Sequence, residues 1–280
     1  MNDSDTRHEF REAVHAGLAL PQPAVPCKYL YDKRGSELFE SICDTADYYV
    51  TRTDLAILRD NLDAIAAQVG AGVHLVEFGS GSGTKTRELL TALDSPRAYT
   101  PIEISASALE QSARALQQHF PELEIRPLQA DYTAPIPRSV LELETPDARR
   151  VVYFPGSTIG NFSRAEAGEF LARIRRMIAP DGGLVLGVDL WKDANILRAA
   201  YDDSEGVTAR FNLNLLERIN RELDGDFDPT AWHHEARIND SLRRVEMHLV
   251  SDREQTVQIA GERFDFGAGA SIHTENSHKY

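Results

Sequence analysis

The run Val76-Glu77-Phe78-Gly79-Ser80-Gly81-Ser82-Gly83-Thr84 constrains this chain more than any other stretch. It follows the apolar segment His74–Phe78 and opens the amphipathic segment Thr84–Leu93. A strand, a tight turn and a helix start are therefore expected in that order. Glycines there allow left-handed backbone and let a ligand approach bare peptide. The same rhythm continues downstream, with strands expected at Ala98–Ile104, Leu123–Ala130, Val151–Phe154 and Leu184–Leu190. Helices are expected at Ser105–Phe120, where Leu109, Ala113, Leu116 and Phe120 share a stripe, and at Arg164–Ile178. This alternation predicts the α/β class, a mostly parallel sheet covered on both faces that binds ligands beyond the carboxyl ends of its strands.

The flanks read differently. Residues 1–70 are helical by pattern, with a stripe over Arg7–Leu18, a connector broken by Pro21, Pro23 and Pro26, and a short helix at Ser36–Ile42. A longer helix takes Thr51 or Thr53 as N-cap and carries Leu55, Leu58, Leu62, Ile65 and Val69. After Trp191 come helices near Ala194–Asp202 and Thr208–Leu223, then antiparallel strands including Val245–Val250 and Gln255–Ile259. Residues 71–192 are thus expected to form the ligand-binding α/β domain, with 1–70 and 193–280 as the two parts of a second, smaller α+β lobe. The 44 acidic against 30 basic residues, a formal charge of -14, argue against nucleic acid or an anionic membrane as the main partner. No stretch approaches the ~20 apolar residues of a membrane span, and the polar N-terminus carries no secretory signal, so a cytoplasmic protein is expected. Cys27 and Cys43 lack metal-ligand spacing and read as two small buried residues. His233-His234 has no third ligand nearby, so no metal is expected. Asp202-Asp203 with Glu205 reads as a solvated acidic run or a helix end.

Successive strand ends carry the chemistry. Dinucleotide-binding turns space their glycines as G-x-G-x-x-G; here the third glycine comes one position early and Thr84 follows, which disfavours a nicotinamide dehydrogenase. The pattern E-x-G-x-G-x-G instead resembles the first motif of class I methyltransferases, with their Rossmann-like sheet. The next strand ends at Glu103, where a carboxylate can accept from two vicinal ribose hydroxyls, or stand as a solvated strand-end charge. The third ends at Asp131-Tyr132, an acid with an apolar neighbour suited to adenine, although Asp131 also suits a turn cap. Together these features point to S-adenosylmethionine.

A more specific resemblance spans nearly the whole chain. It rests on Lys28-Tyr29-Leu30-Tyr31-Asp32, Gly35-Ser36-Glu37-Leu38-Phe39, Tyr48-Tyr49-Val50-Thr51-Arg52-Thr53, Gly79-Ser80-Gly81-Ser82 and, most specific, Gly156-Ser157-Thr158-Ile159-Gly160-Asn161-Phe162. Asp189-Leu190-Trp191-Lys192-Asp193, Tyr201-Asp202-Asp203, Phe211-Asn212-Leu213-Asn214 and Thr274-Glu275-Asn276-Ser277 complete it. These segments resemble the histidine-specific Nα-methyltransferases that make trimethylhistidine (hercynine) for ergothioneine biosynthesis. The resemblance implies that Tyr31, Gly79, Lys85, Glu103, Asp131 and Tyr132 face the cofactor, with Ser80 and Gly81 of the same loop. It implies that Tyr48, Asn161 and Tyr201 are the catalytic set holding the amino acid's backbone end, that Glu275 and Ser277 hold the imidazole, and that Met247 lines its pocket. A small-molecule substrate and a monomer are expected. Family members often have Asp where Glu103 stands, and their chains usually continue beyond the Thr-Glu-x-Ser-x-Lys stretch, so weaker closure behind the imidazole is expected here. From the residues alone, Tyr48, Tyr201 and Met247 also read as core, Asn161 as a turn residue, Lys85 as solvated, Glu275 as a strand-end acid and Ser277 as a surface serine. The alternatives are a relative acting on another amino acid such as tryptophan or on a ring nitrogen, and a cofactor-binding regulatory protein without turnover.

Overall fold

The computed structural model describes residues 3–81, 83–143 and 148–280, which fall into two compact units, Met1–Tyr49 with Leu190–Tyr280, and Val50–Asp189. In the first unit, α1 (Asp3–Leu18) buries Phe10, Val14 and Leu18, four residues apart on one stripe. Helix α2 (Lys33–Asp44) begins where the Asp32 carboxylate accepts from the Gly35 amide at 2.7 Å. The expected N-cap at Thr51 or Thr53 is incorrect. Helix α3 (Tyr49–Asp60) starts ahead of both, because Thr45 closes the preceding turn by accepting from the Tyr48 amide at 3.3 Å. The long helix also divides. Asn61 turns its side-chain amide back to the Ile57 carbonyl at 2.8 Å, and α4 (Leu62–Val69) follows as a separate element.

The Val50–Asp189 unit contains β1 (His74–Phe78), α5 (Thr84–Ala92), β2 (Ala98–Glu103), α6 (Ala106–His119), β3 (Glu124–Ile125), β4 (Leu128–Gln129), β5 (Arg150–Phe154), α7 (Arg164–Ile178) and β6 (Gly183–Leu186). The strands form one parallel sheet in the order β3-β2-β1-β5-β6, with β4 also paired to β2. Alternate residues feed opposite faces. Leu75, Val151 and Tyr153 pack with Leu89, Leu90 and Leu116, whereas Val76, Phe78, Val152 and Phe154 pack with Phe170 and Ile174. This is the mostly parallel, helix-covered sheet that the resemblance to class I methyltransferases implies. Its strand order reverses about β1 and β5, so the ligand crevice lies beyond their carboxyl ends.

Two strand expectations need correction. Leu123–Ala130 is not one strand: it is interrupted at Arg126-Pro127, since proline has no amide for the ladder. Leu184–Leu190 stops at Leu186, although the Gly187 amide still bonds the Phe154 carbonyl at 3.0 Å.

The other unit resumes with α8 (Ala194–Tyr201), α9 (Val207–Leu223), β7 (Trp232–Asn239), β8 (Arg244–Ser251), β9 (Gln255–Ile259), β10 (Glu262–Phe266) and β11 (Ser271–His278). Strands β11-β8-β7 make an antiparallel sheet and β9-β10 a hairpin. Asp203 is buried, not solvated, and caps α9 by accepting from the Val207 and Thr208 amides at 2.9 and 2.6 Å. His233 and His234 point to opposite faces of β7, one exposed and one buried. Cys27 and Cys43 are half-buried. Among the described residues no helix is long and apolar enough to cross a membrane, and no group of His, Cys, Asp or Glu is placed to hold a metal ion.

Candidate functional site

The turn after β1 takes left-handed backbone at Gly79, Gly81 and Gly83, with φ of 70°, 48° and 70°. Gly79 donates its amide to the Ile102 carbonyl at 2.9 Å, and a Cβ there would lie 3.8 Å from the Tyr132 ring. A Cβ on Gly81 would meet nothing within 4 Å, so its backbone faces open space. Ser80 Oγ is buried and has no hydrogen-bond partner among the described residues. Ser82 lies outside the described residues. An orphaned hydroxyl beside open peptide fits a polar ligand seated on this turn.

Two acids flank it. Glu103 is half-buried, and its Oε1 accepts from the Ile104 and Ser105 amides at 2.8 and 3.3 Å. Burial raises its carboxyl, while the amides of Ser105, Ile104 and Gly81 oppose that shift. The structure therefore gathers Glu103 and Gly81, both expected on the cofactor. Asp131 Oδ1 accepts from the Thr133 amide at 2.8 Å, closing a turn, and the half-buried Tyr132 ring packs 5.7 Å from Phe78 and 5.8 Å from Phe154. An acid suited to vicinal hydroxyls, a bare turn and an aromatic wall match the parts of S-adenosylmethionine.

Glu77, in the glycine motif but not among the expected contacts, is 2% exposed and accepts from the hydroxyls of Thr86 and Tyr99. Burial pushes its carboxyl up to about 7, against the opposing effects of those hydroxyls and of Lys85. The folded protein thus holds this proton more tightly than the unfolded chain does. Stability is fully present below the unfolded value near 4.5 and is lost as pH rises through about 7. Glu77→Gln should remove that dependence. Between pH 4 and pH 8 the stability of the variant relative to the native protein should rise by about 2–3 kcal/mol in urea titrations. A constant difference across that range would contradict the buried, proton-holding state.

Lys85 Nζ is paired with Asp54 at 2.6 Å, and the same Asp54 oxygen accepts from the Gly156 amide at 3.0 Å. One carboxylate on α3 thereby ties the first residues of α5 to the turn after β5. Asn161 ends the 3-10 turn Thr158–Asn161 that follows, and is half-buried. No sequence spacing links Asp54 to Lys85, 31 residues further on, or to the turn at Gly156.

The remaining expected residues lie in the other unit. Tyr48 and Tyr201 are buried with ring centroids 5.9 Å apart, edge to face. The Tyr201 hydroxyl is 2.6 Å from Ser277 Oγ. Glu275 and Ser277 alternate on β11, and both are buried, at 8% and 4% exposure. Met247 faces Glu275 across the β8 register and is also buried. Tyr31, expected on the cofactor, donates to Glu275 Oε1 at 3.3 Å and packs on Phe39 and Phe211. His234 supports Tyr201 from behind: its Nε2 donates to the Tyr201 carbonyl at 2.7 Å, and its Nδ1 accepts from Asn212 at 2.9 Å. Burial lowers the His234 pKa, consistent with that neutral tautomer. Lys279, also absent from the expected set, reaches both Tyr201 and Ser277.

Residues 10–280 match the family model described as histidine-specific methyltransferase, SAM-dependent. The chain is 40% identical over 279 residues to a histidine N-alpha-methyltransferase of Mycobacterium tuberculosis, covering 97% of this chain and 84% of that protein. It is 28% identical to an N-methyltransferase of Aspergillus fumigatus, covering 100% of this chain and 77% of the relative. An ergothioneine biosynthesis protein 1 of Neurospora crassa is 30% identical over 72% of this chain and 23% of its own length. With the sheet order, the glycine turn and the strand-end acids already in place, this chain belongs to the histidine-specific, S-adenosylmethionine-dependent methyltransferases.

Proposed function

We propose that this protein methylates the α-amine of L-histidine, three times in succession, to give trimethylhistidine for ergothioneine biosynthesis. The observation that carries the reading is the buried pair on β11, a carboxylate at Glu275 and a hydroxyl at Ser277. Imidazole has a nitrogen at each end, so it needs an acceptor on one side and an adaptable hydroxyl on the other. Indole offers only a donor, and phenyl neither, so either would leave part of this pair unmatched in a buried place.

Bound S-adenosylmethionine supplies a methyl group already activated on a sulfonium. Gly79, Ser80, Gly81, Glu103, Asp131 and Tyr132 are assigned to hold it, with Lys85 kept in place by Asp54. The chain's work is then alignment: the attacking amine needs a lone pair, and an amino acid's α-amine is protonated at neutral pH, so it sheds a proton before each attack. Tyr48, Tyr201 and Asn161, assigned to the amino acid's backbone end, are neutral and orient that nitrogen without adding positive charge. With S-adenosylmethionine held there, the C–N bond would form as the C–S bond breaks, the electron pair leaving with sulfur. A quaternary nitrogen has no lone pair, which ends the series at three methyl groups.

The direct test incubates the purified protein with S-adenosylmethionine and the twenty amino acids and reads mass gains. Histidine should gain up to three methyl groups. A gain on tryptophan alone, or a single methyl retained on the histidine ring, would replace this reading. Asn161→Ala should lower kcat/KM about 10- to 100-fold for every amino acid accepted, from loss of one hydrogen bond to the substrate. A loss confined to histidine would contradict its assignment to the backbone end.

A further inference from the structure

Lys279 is 2% exposed and lies one residue beyond β11, in step with Glu275 and Ser277. Its Nζ donates to the Tyr201 hydroxyl at 2.7 Å and to Ser277 Oγ at 2.9 Å, and those two oxygens are 2.6 Å apart. In both bonds the lysine nitrogen is the donor. Each hydroxyl oxygen therefore accepts from Lys279, and the bond between the oxygens uses one of their two protons. The other proton must point out of the triangle. The phenol is the stronger acid, so it donates to the serine oxygen, and the serine proton is the one turned outward.

We propose that Lys279 is a positioning and specificity-determining residue that commits Ser277 to donating, so that this end of the pocket takes a ring nitrogen bearing a lone pair. The proposal rests on the reading that Glu275 and Ser277 hold the imidazole. A serine by itself donates or accepts as its partner requires. Bonded to Lys279 and Tyr201, Ser277 loses that freedom. Glu275 then takes the ring N–H and Ser277 the opposite nitrogen, which fixes a neutral ring in one orientation.

The test compares Lys279→Met, Ser277→Ala and their double variant, with kcat, KM for histidine, S-adenosylmethionine Kd by calorimetry and Tm. Lys279→Met should raise histidine KM about 10-fold or more, with kcat within about threefold and cofactor Kd unchanged. The double variant should be no worse than the weaker single variant, because Lys279 acts through Ser277. Lys279→Gln, whose amide keeps N–H donors, should hold KM within about threefold of native, a rescue that packing or charge alone does not produce. Multiplicative losses in the double variant, an unchanged KM in folded Lys279→Met while Ser277→Ala is impaired, or a Gln variant as poor as the Met variant would each overturn the role of Lys279. An unimpaired Ser277→Ala would instead remove Ser277 from the imidazole, and with it the reading on which the proposal stands.

Discussion

Replacing Glu275 with alanine should lower kcat/KM for L-histidine by about 100-fold or more and leave S-adenosylmethionine affinity within about twofold of native. Glu275 is buried and accepts from the Tyr31 hydroxyl, so its carboxylate is already oriented before any ligand arrives. Alanine removes the acceptor for the ring N–H and leaves the Tyr31 hydroxyl without this bond. Loss of a hydrogen bond to a charged group, plus an unmatched donor, is worth about 3 kcal/mol or somewhat more. Sites built to hydrogen-bond a substrate N–H discriminate strongly against ligands lacking it, so the variant should also narrow the gap between histidine and phenylalanine. Steady-state kinetics with both amino acids, and calorimetry with the cofactor, separate these effects. Native histidine kinetics in the variant would take Glu275 out of the site.

Gly35→Ala should destabilise the protein by about 4 kcal/mol or more, although alanine is ordinarily the better helix former by about 1 kcal/mol. A Cβ on Gly35 would sit 1.7 Å from the Leu30 carbonyl oxygen and 3.1 Å from Asp32 Oδ1. The first of these is backbone, so no rotamer change relieves it. Moving the first turn of α2 also disturbs Asp32, which accepts from Gly35, from Asn214 at 2.8 Å and from Arg221 at 2.6 Å. A fall in Tm of about 10 °C is expected for a chain of this size. A variant as stable as native, or more so, would show that helix propensity outweighs the clash.

The sheet was legible because its strands and helices bury apolar residues at different periods. The Gly79 turn and Glu103 were legible because a strand end, a turn and a carboxylate recur at fixed spacing. Strand β11 was not. Its sequence, Ser-Ile-His-Thr-Glu-Asn-Ser-His, carries one aliphatic residue, yet six of its eight positions are buried, so its polar side chains must be partnered inside the unit. Hydrophobic periodicity does not register such a strand. Asp54 and Lys279 escaped for a related reason: their partners are distant in sequence, Lys85 at 31 residues and Tyr201 at 78, and only folding brings them together. Leu123, Ile125, Leu128 and Ala130 lie on both sides of Pro127, so the segment read as one strand although the proline lacks the ladder amide.

That missing amide matters beyond the line of β3 and β4. The outer row of a sheet exposes amides and carbonyls that another chain can zip onto. Here that row consists of two pieces of two residues each, and Arg126 between them donates to the Glu142 carbonyl at 2.6 Å. A neighbouring molecule finds no continuous ladder to extend past the proline. At this margin of the sheet, the backbone offers a second copy only two-residue stretches to pair with.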